Sequence, residues 1–416
     1  MSVAWGVYRS LAPLMGAAAP LGRWVAPGHE RGAWPARLGE VPEDGPVDAW
    51  IHAASMGEAV AVRALIDELR ALAPHARLRL TSTTRTGRER LAGLESGATL
   101  APLDTPQAAA RFFARVRPRR LLLLETELWP QWLMAARRAA IPVVVLNARL
   151  SARSLARYRW LGPGFRALVQ GLAAALCQSD ADRERWIALG VRPDRAATVG
   201  NLKNDGLPEP AADRAAARRA LGLDSDRPAC VLGSVRPGEA RPLAEAWVQL
   251  APTTRARWQV IAVPRHAGAS PGLKREAERA GVAIAASGAP AAGAWRWDDR
   301  PGVLASYYAV ADVAFVGGTL APYGGHNPLE PAACGAAVLA GPHLESQRPA
   351  LEILEGADAL VIATPGRALA AALRELLEDP GRRAARAEAS RRAAARARGA
   401  THRAVEWMRA WALWPA

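Results

Sequence analysis

The segment VAFVGGTLAPYGGHNPLEPAACGAAVLAGPH, residues 313–343, has the pattern that decides the fold. The apolar run Val313–Val316 predicts a buried strand, and two double-glycine turns follow it. A helix is predicted to begin at Asn327-Pro328, because proline suits the first helical position and asparagine suits the cap. Ala337–Ala340 predicts a second strand. Strand, turn, helix and strand in this order form one unit of a parallel sheet.

The turns and the predicted helix start together resemble a phosphate-binding element. Open backbone amides and the positive end of a helix dipole bind anions at the carboxyl edge of a parallel sheet. Glu330, in the first helical turn, is placed to accept hydrogen bonds from a ribose diol next to that phosphate. The pattern therefore predicts a nucleotide site. The alternative is a capped helix in which Glu330 only complements the dipole and the glycines only turn the chain.

The same alternation of short apolar runs and helical segments covers most of the chain. Strands are predicted in the first half at residues 49–53, 78–81, 121–124, 143–146, 173–178 and 197–199, with helices at 59–72 and from Arg88. Strands are predicted in the second half at 229–232, 258–263, 282–286 and 360–362 besides the two above, with helices at 239–250, from Pro271 and from Arg367. Residues 303–309 continue the alternation, and 382–414 is predicted to be a basic helical segment.

This pattern predicts an α/β protein with two doubly wound Rossmann-like domains that face a cleft. The expected division is an N-terminal segment 1–26, a first domain 27–205, a second domain 211–395, and a C-terminal helix 396–416 that crosses back to the first domain. Residues 200–210 have linker composition.

The N-terminal segment is apolar but interrupted. Pro13, Pro20, Arg9 and Arg23 break the run, so it fits neither a spanning helix nor a cleaved signal peptide. Tryptophans and arginines around a broken apolar helix are typical of an interfacial membrane segment. The alternative is a helix that packs on its own domain.

Composition limits the function classes. The chain has 416 residues, 50% of them hydrophobic, and a formal net charge of +15. Such a charge indicates an anionic partner, which would be a nucleic acid, a membrane surface or a phosphorylated substrate. Cys177, Cys230 and Cys334 are widely spaced, which predicts neither a disulfide framework nor a thiolate metal site.

The two halves offer different chemistry. The second half supplies donors for an anionic nucleotide, whereas the first supplies Glu58 at a helix start and Glu125 and Glu127 at a strand end. Glycosyl transfer from a nucleotide sugar needs a carboxylate that takes a proton from the attacking hydroxyl and cationic groups that hold the departing phosphate. The alternative for Glu58 is a carboxylate that stabilises the helix dipole.

Six motifs in register point to one family. They are WIHAASMGE (50–58), ETELWP (125–130), NARLSARS (147–154), GNLK (200–203), VPRH (263–266) and FVGGTLAPYGGHNPLEPA (315–332). Together they closely resemble the 3-deoxy-D-manno-octulosonic acid (Kdo) transferase family over nearly the whole chain. The resemblance implies the glycosyltransferase-B fold and transfer of Kdo from CMP-Kdo to the 6'-hydroxyl of the lipid A precursor, lipid IVA. It implies inversion, no metal and no further cofactor, and a peripheral or monotopic protein on the cytoplasmic side of the inner membrane.

The family's functional positions fall on identifiable residues of this sequence. Glu58 matches the catalytic base, and Glu125 and Lys203 match positions assigned to transition-state stabilisation. The positions that contact CMP match Pro264, Arg265, Pro301, Gly302, Val303, Asn327, Pro328, Leu329 and Glu330. The family usually has Gly-Glu where this chain has Gly302-Val303, so a side-chain carboxylate role there is lost. A second departure is the run 233–239, where related sequences tend to have Ser-Thr-His and where Arg236 supplies a donor.

Three other functions remain open on the sequence alone. An enzyme of the same fold that uses a UDP-sugar, as a transferase or an epimerase, is the nearest alternative. A basic nucleic-acid-binding protein is allowed by the charge, but no recognition helix and no face of interleaved basic and aromatic residues is found. A membrane-bound relative without activity is disfavoured by Glu58, although Val303 makes it worth testing.

Overall fold

The structure, a computed structural model, describes residues 2–43, 45–285, 288 and 290–415. The chain divides into two compact units. Unit 1 comprises Met1–Gly206 and Arg398–Ala416, and unit 2 comprises Leu207–Ala397.

Unit 1 is built on a parallel sheet of seven strands in the order β3-β2-β1-β4-β5-β6-β7. Its strands are β1 (Ala49–His52), β2 (Leu78–Ser82), β3 (Thr99–Leu100), β4 (Leu121–Leu124), β5 (Val143–Ala148), β6 (Ala174–Cys177) and β7 (Ala196–Thr198). β4 and β5 are buried along their whole length, as expected for parallel strands that are covered on both faces. Chain order reverses between β1 and β4, so the topological switch point of this sheet lies there.

Helices of unit 1 cover both faces of the sheet. They are α1 (Val3–Ala18), α2 (Gly22–Val25), α3 (Gly28–Arg31), α4 (Trp34–Arg37), α5 (Met56–Leu72), α6 (Arg85–Ala92), α7 (Pro106–Val116), α8 (Pro130–Arg138), α9 (Ala152–Trp160), α10 (Pro163–Gln170) and α11 (Asp180–Leu189). Short 3-10 turns lie at Ala19–Leu21, Pro193–Arg195 and Leu202–Gly206. Two core clusters result, one on each face, and Trp50 packs in one of them against Phe112 and Trp132.

α1 packs on unit 1 and also presents an apolar face to solvent. Trp5 is buried against Phe165, and the Tyr8 hydroxyl donates to Asp104 Oδ2 at 2.5 Å. On the other side, Leu14 and Met15 are 65% and 62% exposed. The helix packs on its own domain, as one alternative from the sequence expected, and it also exposes an apolar face, as expected of an interfacial segment. Membrane contact stays a prediction. Among the described residues, no helix combines the length and hydropathy required to span a bilayer.

Unit 2 has its own seven-stranded parallel sheet, in the order β10-β11-β9-β8-β12-β13-β14. Its strands are β8 (Ala229–Val235), β9 (Gln259–Pro264), β10 (Ile284–Ala285), β11 (Trp295–Trp297), β12 (Val313–Val316), β13 (Ala337–Ala340) and β14 (Leu360–Ile362). Its helices are α12 (Arg214–Ala220), α13 (Ala240–Val248), α14 (Pro252–Arg257), α15 (Ser270–Arg279), α16 (Leu304–Tyr308), α17 (Leu329–Ala333), α18 (Arg348–Glu355), α19 (Arg367–Glu378) and α20 (Pro380–Ala397), with 3-10 turns at Ala267–Ala269 and Glu345–Gln347. The switch point lies between β8 and β12. The expected fold of two doubly wound domains is confirmed.

Several predicted boundaries differ from the structure. The helix expected at Asn327-Pro328 begins at Leu329, and α17 is only five residues long. Two short strands, β3 and β11, were not predicted, because a two-residue strand carries no period and Trp-Arg-Trp lacks an apolar run. Of the strand expected at 282–286, only Ile284–Ala285 is observed, and Ala286 lies outside the described residues.

The predicted C-terminal helical segment is interrupted at Gly399, which has a φ of 79°. The last helix, α21 (Ala400–Ala410), then packs on α5 within unit 1. Its first amides are capped by Asp205, whose carboxylate accepts from Gly399 N at 2.5 Å and from Thr401 N at 2.6 Å. A carboxylate at a helix N-terminus satisfies amides that have no partner within the helix.

A buried carboxylate fills the glycine turn that follows β12. Glu239 is fully buried, and its two oxygens accept backbone hydrogen bonds from Arg236, Gly318, Thr319 and Leu320, each at 2.8 Å. Four charge-assisted bonds therefore fix the loops after β8 and β12 to each other. The sequence did not indicate this partner, because Glu239 is about eighty residues away along the chain.

Replacing Glu239 by Gln is expected to destabilise unit 2. The side-chain amide would turn its NH₂ group towards backbone N–H donors and leave at least one of them buried without an acceptor. We expect the free energy of unfolding to fall by about 2–4 kcal/mol in urea titrations. Glu245→Gln, an exposed carboxylate on α13 of the same unit, is the control and should change the midpoint little. Equal effects of the two variants would contradict this role for Glu239.

Candidate functional site

Glu58 lies at the carboxyl end of β1, at the switch point of unit 1. Ser55 caps α5, with its Oγ accepting from Glu58 N at 3.3 Å. The Glu58 carboxylate turns back to accept from Ala54 N at 2.8 Å and from the Ser55 hydroxyl at 3.0 Å. The arrangement resembles a capping box, except that the carboxylate bonds the amide before the cap residue. Glu58 therefore contributes to the helix start, as the alternative raised by the sequence expected.

The capping role does not account for the electrostatics of Glu58. The residue is only 8% exposed, and burial raises the pKa of its carboxyl to about 7. The negative charges of Glu125 and Glu127 raise the pKa further, whereas the hydrogen bonds from Ala54 and Ser55 lower it. A carboxyl group with a pKa near 7 exchanges protons readily at neutral pH, as a general base must.

Glu125 and Lys203 form an ion pair at the same edge of the sheet. The Lys203 Nζ lies 2.6 Å from Glu125 Oε1, and both side chains are partly exposed. Glu125 directly follows β4 and has a φ of 58°, a conformation unfavourable for a residue with a side chain. Strained positions of this kind are concentrated at functional sites. The structure thus brings these two predicted residues together, and the charge of Glu125 reaches Glu58.

Asn147 positions the turn that carries Lys203. It is fully buried at the end of β5, where the pairing with β6 shifts in register, and its φ is 52°. Its Oδ1 accepts from Leu202 N at 2.9 Å, which ties the 3-10 turn Leu202–Gly206 to the sheet edge. A bulge that redirects a side chain next to a site is a recurrent device. The motif around Asn147 was recognised in the sequence, but this contact was not foreseen.

A chain of polar contacts reaches Glu127 from the interior. Trp50 Nε1 donates to Thr81 Oγ1 at 2.7 Å, and that hydroxyl lies 2.9 Å from His52 Nδ1. His52 Nε2 is 3.6 Å from Glu127 Oε2, which also accepts from Trp129 Nε1 at 2.7 Å. Glu127 is therefore held in a fixed orientation. Sequence reasoning missed His52, although its place at the end of an apolar strand was an available signal.

In unit 2, cationic side chains gather at the carboxyl ends of β8 and β9. Pro264 ends β9 in the interior, and Arg265 follows it, with its N–H bonded to Val235 O at 3.0 Å. Arg236 stacks on the Tyr323 ring at 4.1 Å and donates from Nη1 to His266 Nε2 at 3.0 Å. The structure therefore supports the interpretation of Arg236 as a donor.

His326 lies among these cations. Burial, together with the charges of Arg265, Arg236 and His266, lowers its pKa to about 4, so the ring is neutral at pH 7. Among the described residues, neither His326 Nε2 nor Arg236 Nε has a hydrogen-bond partner, although both atoms are buried. Both atoms are thus polar groups that could bind an anion without breaking an existing hydrogen bond.

The predicted phosphate-binding turn needs correction. Gly318, Thr319 and Leu320 do not offer open amides, because Glu239 accepts from all three. The dipole argument also weakens, since α17 has only five residues. Asn327 Oδ1 does accept from Leu329 N at 3.1 Å, so its capping contact exists, but Pro328 precedes the helix rather than opening it.

Glu330 occupies the first turn of α17, as predicted. Burial raises the pKa of its carboxyl, while the Arg265 charge and a hydrogen bond with Asn327 lower it. Glu330 therefore lies close to Arg265. We call the two guanidinium groups of Arg236 and Arg265, together with the neighbouring imidazoles of His266 and His326, the cation cluster.

The loop Pro301–Gly302–Val303 precedes α16 (Leu304–Tyr308), so the stretch expected to continue the alternation is mostly a short helix. Pro301 and Gly302 are exposed, and Gly302 has a φ of 81°. Val303 packs against the buried side chains beneath this helix. Its apolar side chain thus has a packing role at the position where a carboxylate was expected. Within the described residues, no group of three or more His, Cys, Asp and Glu side chains is arranged to hold a metal ion.

Family models match both parts of the chain. Residues 32–206 match the model described as 3-deoxy-D-manno-octulosonic-acid transferase, and residues 273–409 match a glycosyl transferase-like model. Among solved structures, UDP-GlcNAc 2-epimerase from Neisseria meningitidis bound to UDP-GlcNAc is similar, with a TM-score of 0.59 and 13% identity over 86% of this chain and 98% of that chain. At such identity the likeness concerns the fold alone, and it agrees with the expected glycosyltransferase-B class.

Curated relatives extend the match over the whole chain. The 3-deoxy-D-manno-octulosonic acid transferase of Bordetella pertussis is 35% identical over 98% of this chain and 99% of its own. The enzyme of the same name from Chlamydophila psittaci is 32% identical over 76% of this chain and 74% of its own. With the motifs, the two doubly wound units and these relatives in agreement, the chain belongs to the Kdo transferase family of glycosyltransferases.

Proposed function

We propose that the chain moves Kdo from CMP-Kdo to the 6'-hydroxyl of lipid IVA, with inversion at the anomeric carbon and without a metal ion. The observation that carries the proposal is the Glu58 carboxyl, whose pKa of about 7 and position at the switch point of unit 1 suit a general base. Membership of the family supplies the donor and acceptor classes.

In the proposed step, the Glu58 carboxylate takes the proton of the acceptor hydroxyl. The hydroxyl oxygen forms a bond to the anomeric carbon of Kdo as the bond from that carbon to the CMP phosphate oxygen breaks. CMP leaves with the bonding electrons. Ala54 N and Ser55 Oγ hold the carboxylate in one orientation and leave its remaining lone pairs for the substrate.

The Glu125–Lys203 pair is proposed to adjust charge around this base. The charge of Glu125 raises the pKa of Glu58, and Lys203 contacts Glu125 directly. A substrate carboxylate that approaches Lys203 would compete for its ammonium group. The Kdo carboxylate has the charge for this competition, so the pair is assigned to the donor sugar.

The cation cluster of unit 2 is proposed to bind the CMP phosphate. Arg236 and Arg265 supply guanidinium donors, and neutral His326 supplies one more from a buried position. Glu330, beside Arg265, is assigned to the ribose diol. Pro301, Gly302 and Val303 would contribute backbone groups and apolar contact, together with Pro264 and the segment Asn327–Leu329.

We further propose a peripheral location on the cytoplasmic side of the inner membrane. The exposed apolar face of α1 and the net charge of +15 both favour an anionic bilayer surface. Arg23 lies over the ring of Trp24, which is 69% exposed. Such a pair is typical of the interfacial region.

Two substitutions of Glu58 separate its capping role from catalysis. Gln at this position still completes a capping box but cannot accept a proton, so Glu58→Gln should keep the urea midpoint and CMP binding of the unmodified protein. Transfer to lipid IVA should fall by about 10²–10⁴-fold. Glu58→Ala should lose transfer equally and, in addition, about 1 kcal/mol of stability. Near-normal turnover of Glu58→Gln would mean that Glu58 is only a cap.

The pH dependence provides an independent test. The base must be deprotonated, so kcat/KM should fall as the pH decreases below about 7. Glu127→Gln removes one of the negative charges that raise this pKa, and the acidic limb should move to lower pH. The assignment of Glu58 as the base would be contradicted if the acidic limb of kcat/KM did not move in Glu127→Gln. It would also be contradicted if that limb were still present in Glu58→Gln.

Nucleotide protection tests the donor class. CMP should raise the melting temperature of the full chain, whereas UDP should not. A CMP concentration about 100-fold above its Kd should increase the free energy of unfolding by about 2.7 kcal/mol. Arg265→Gln should reduce protection by CMP, while Arg257→Gln, an exposed arginine in the same unit, should not. Protection by UDP but not by CMP would favour the UDP-sugar alternative and contradict CMP-Kdo as donor.

A further inference from the structure

Unit 1 contains a cavity that lies outside the candidate site. It has a volume of about 540 Å³, lies between α1, α8 and α10, and is open to solvent on one side, where its arginines are exposed. Its lining combines three arginines with apolar side chains: Arg9, Arg137, Arg138, Trp5, Met134 and Leu168.

The three arginines lack acidic partners. Among the described residues, none of their guanidinium groups makes a hydrogen bond or an ion pair, whereas most of the other ion pairs of unit 1 join arginines to nearby carboxylates. Arg137 and Arg138 end α8, where cations complement the helix dipole. Arg9 belongs to a different helix, so the dipole of α8 does not explain why it faces the same cavity. Three like charges around one cavity indicate an anionic occupant.

A second, apolar cavity adjoins the first. It has a volume of about 330 Å³ and shares Arg137 and Leu168 with it. The rest of its wall is mostly apolar, including Leu133, Ile141 and Leu172. An occupant that fills both spaces needs an anionic group and an apolar chain.

The position of this pair of cavities separates it from the candidate site. Pro142, Val143 and Ala173 line the apolar cavity, and they lie at the amino ends of β5 and β6. Glu58, Glu125 and Lys203 follow the carboxyl ends of strands in the same parallel sheet. The apolar cavity and the end of α8 that carries Arg137 and Arg138 are therefore at the opposite edge of the sheet from the proposed base.

The neighbouring surface indicates where the occupant comes from. α1, which provides Trp5 and Arg9, also exposes Val7, Leu11 and Leu14 to solvent. A helix with this exposed face is suited to the headgroup region of a bilayer. An arginine on the flank of the same helix would then lie at the depth of lipid phosphates.

We propose that the arginine cavity binds the phosphate of an anionic phospholipid, with an acyl chain in the apolar cavity. Arg9, Arg137 and Arg138 hold the phosphate, Met134 contacts the glycerol region, and Leu133, Ile141 and Leu172 contact the acyl chain. This inference rests on the membrane association included in the proposed function, but it does not depend on the sugar or nucleotide chemistry.

Binding to vesicles tests the proposal without any donor or acceptor substrate. The full chain is sedimented with vesicles of phosphatidylcholine, with or without phosphatidylglycerol. Removing two arginine contacts in the double variant Arg137→Gln/Arg138→Gln should weaken binding to phosphatidylglycerol vesicles about 30-fold. The matched control is Arg367→Gln/Arg374→Gln, which removes the same charge from exposed positions on α19 of unit 2 and should change binding much less.

Soluble short-chain lipids test the cavity itself. Dihexanoyl phosphatidylglycerol should raise the melting temperature of the unmodified protein and of the α19 control, but not of the α8 variant. Inorganic phosphate and dihexanoyl phosphatidylcholine should give smaller shifts. If both double variants weakened vesicle binding equally, overall charge would explain the binding. If inorganic phosphate raised the melting temperature as much as dihexanoyl phosphatidylglycerol does, the acyl chain would have no role. Either result would overturn the proposal, as would displacement of the short-chain lipid by lipid IVA, which would make the cavity an acceptor subsite.

Loss of this binding and loss of transferase activity are separate outcomes. Both assays lack CMP-Kdo and an acceptor, so an error in the proposed reaction leaves their results unchanged. Conversely, transfer by the α8 variant to lipid IVA in detergent should remain near that of the unmodified protein, because the cavity is at the far edge of the sheet.

Discussion

Parallel strand pairing is the constraint on which the candidate site depends. The strands β1, β4, β5 and β7 are buried on both faces for most of their length, so polar chemistry has room only beyond their ends. Because all of them run in the same direction, the segments that follow them meet at one edge. Glu58, Glu125 and Lys203 converge for this reason, although 145 residues of sequence separate the first from the last.

In unit 2, the protein supplies one of its own anions. Glu239 occupies the glycine turn after β12, where the sequence pattern predicted a phosphate. The backbone dipoles of that turn are thus already compensated, whereas the buried Arg236 Nε and His326 Nε2 nearby have no hydrogen-bond partner among the described residues. The amides of that turn are therefore not available to a ligand anion.

This difference shows what a sequence pattern can and cannot reveal. Strands such as Leu121–Leu124 and Val313–Val316 were placed to the residue, because continuous apolar runs bounded by turns have few alternatives. The family motifs located Glu58, Glu125 and Lys203. The contacts of Asn147, Asp205 and Glu239 were not foreseen, since each joins segments that are far apart along the chain. Which group accepts the hydrogen bond of a buried amide depends on the tertiary structure, so a short stretch of sequence cannot reveal it.

The route of the chain has a consequence for synthesis. α21 covers one face of unit 1, where Ala404, Val405 and Met408 are buried in the same core cluster as residues of α5. This helix is translated only after all of unit 2. While unit 2 emerges, the apolar face of α5 that α21 will cover remains open to water. Unit 1 therefore stays incompletely packed during synthesis until its final helix has been made.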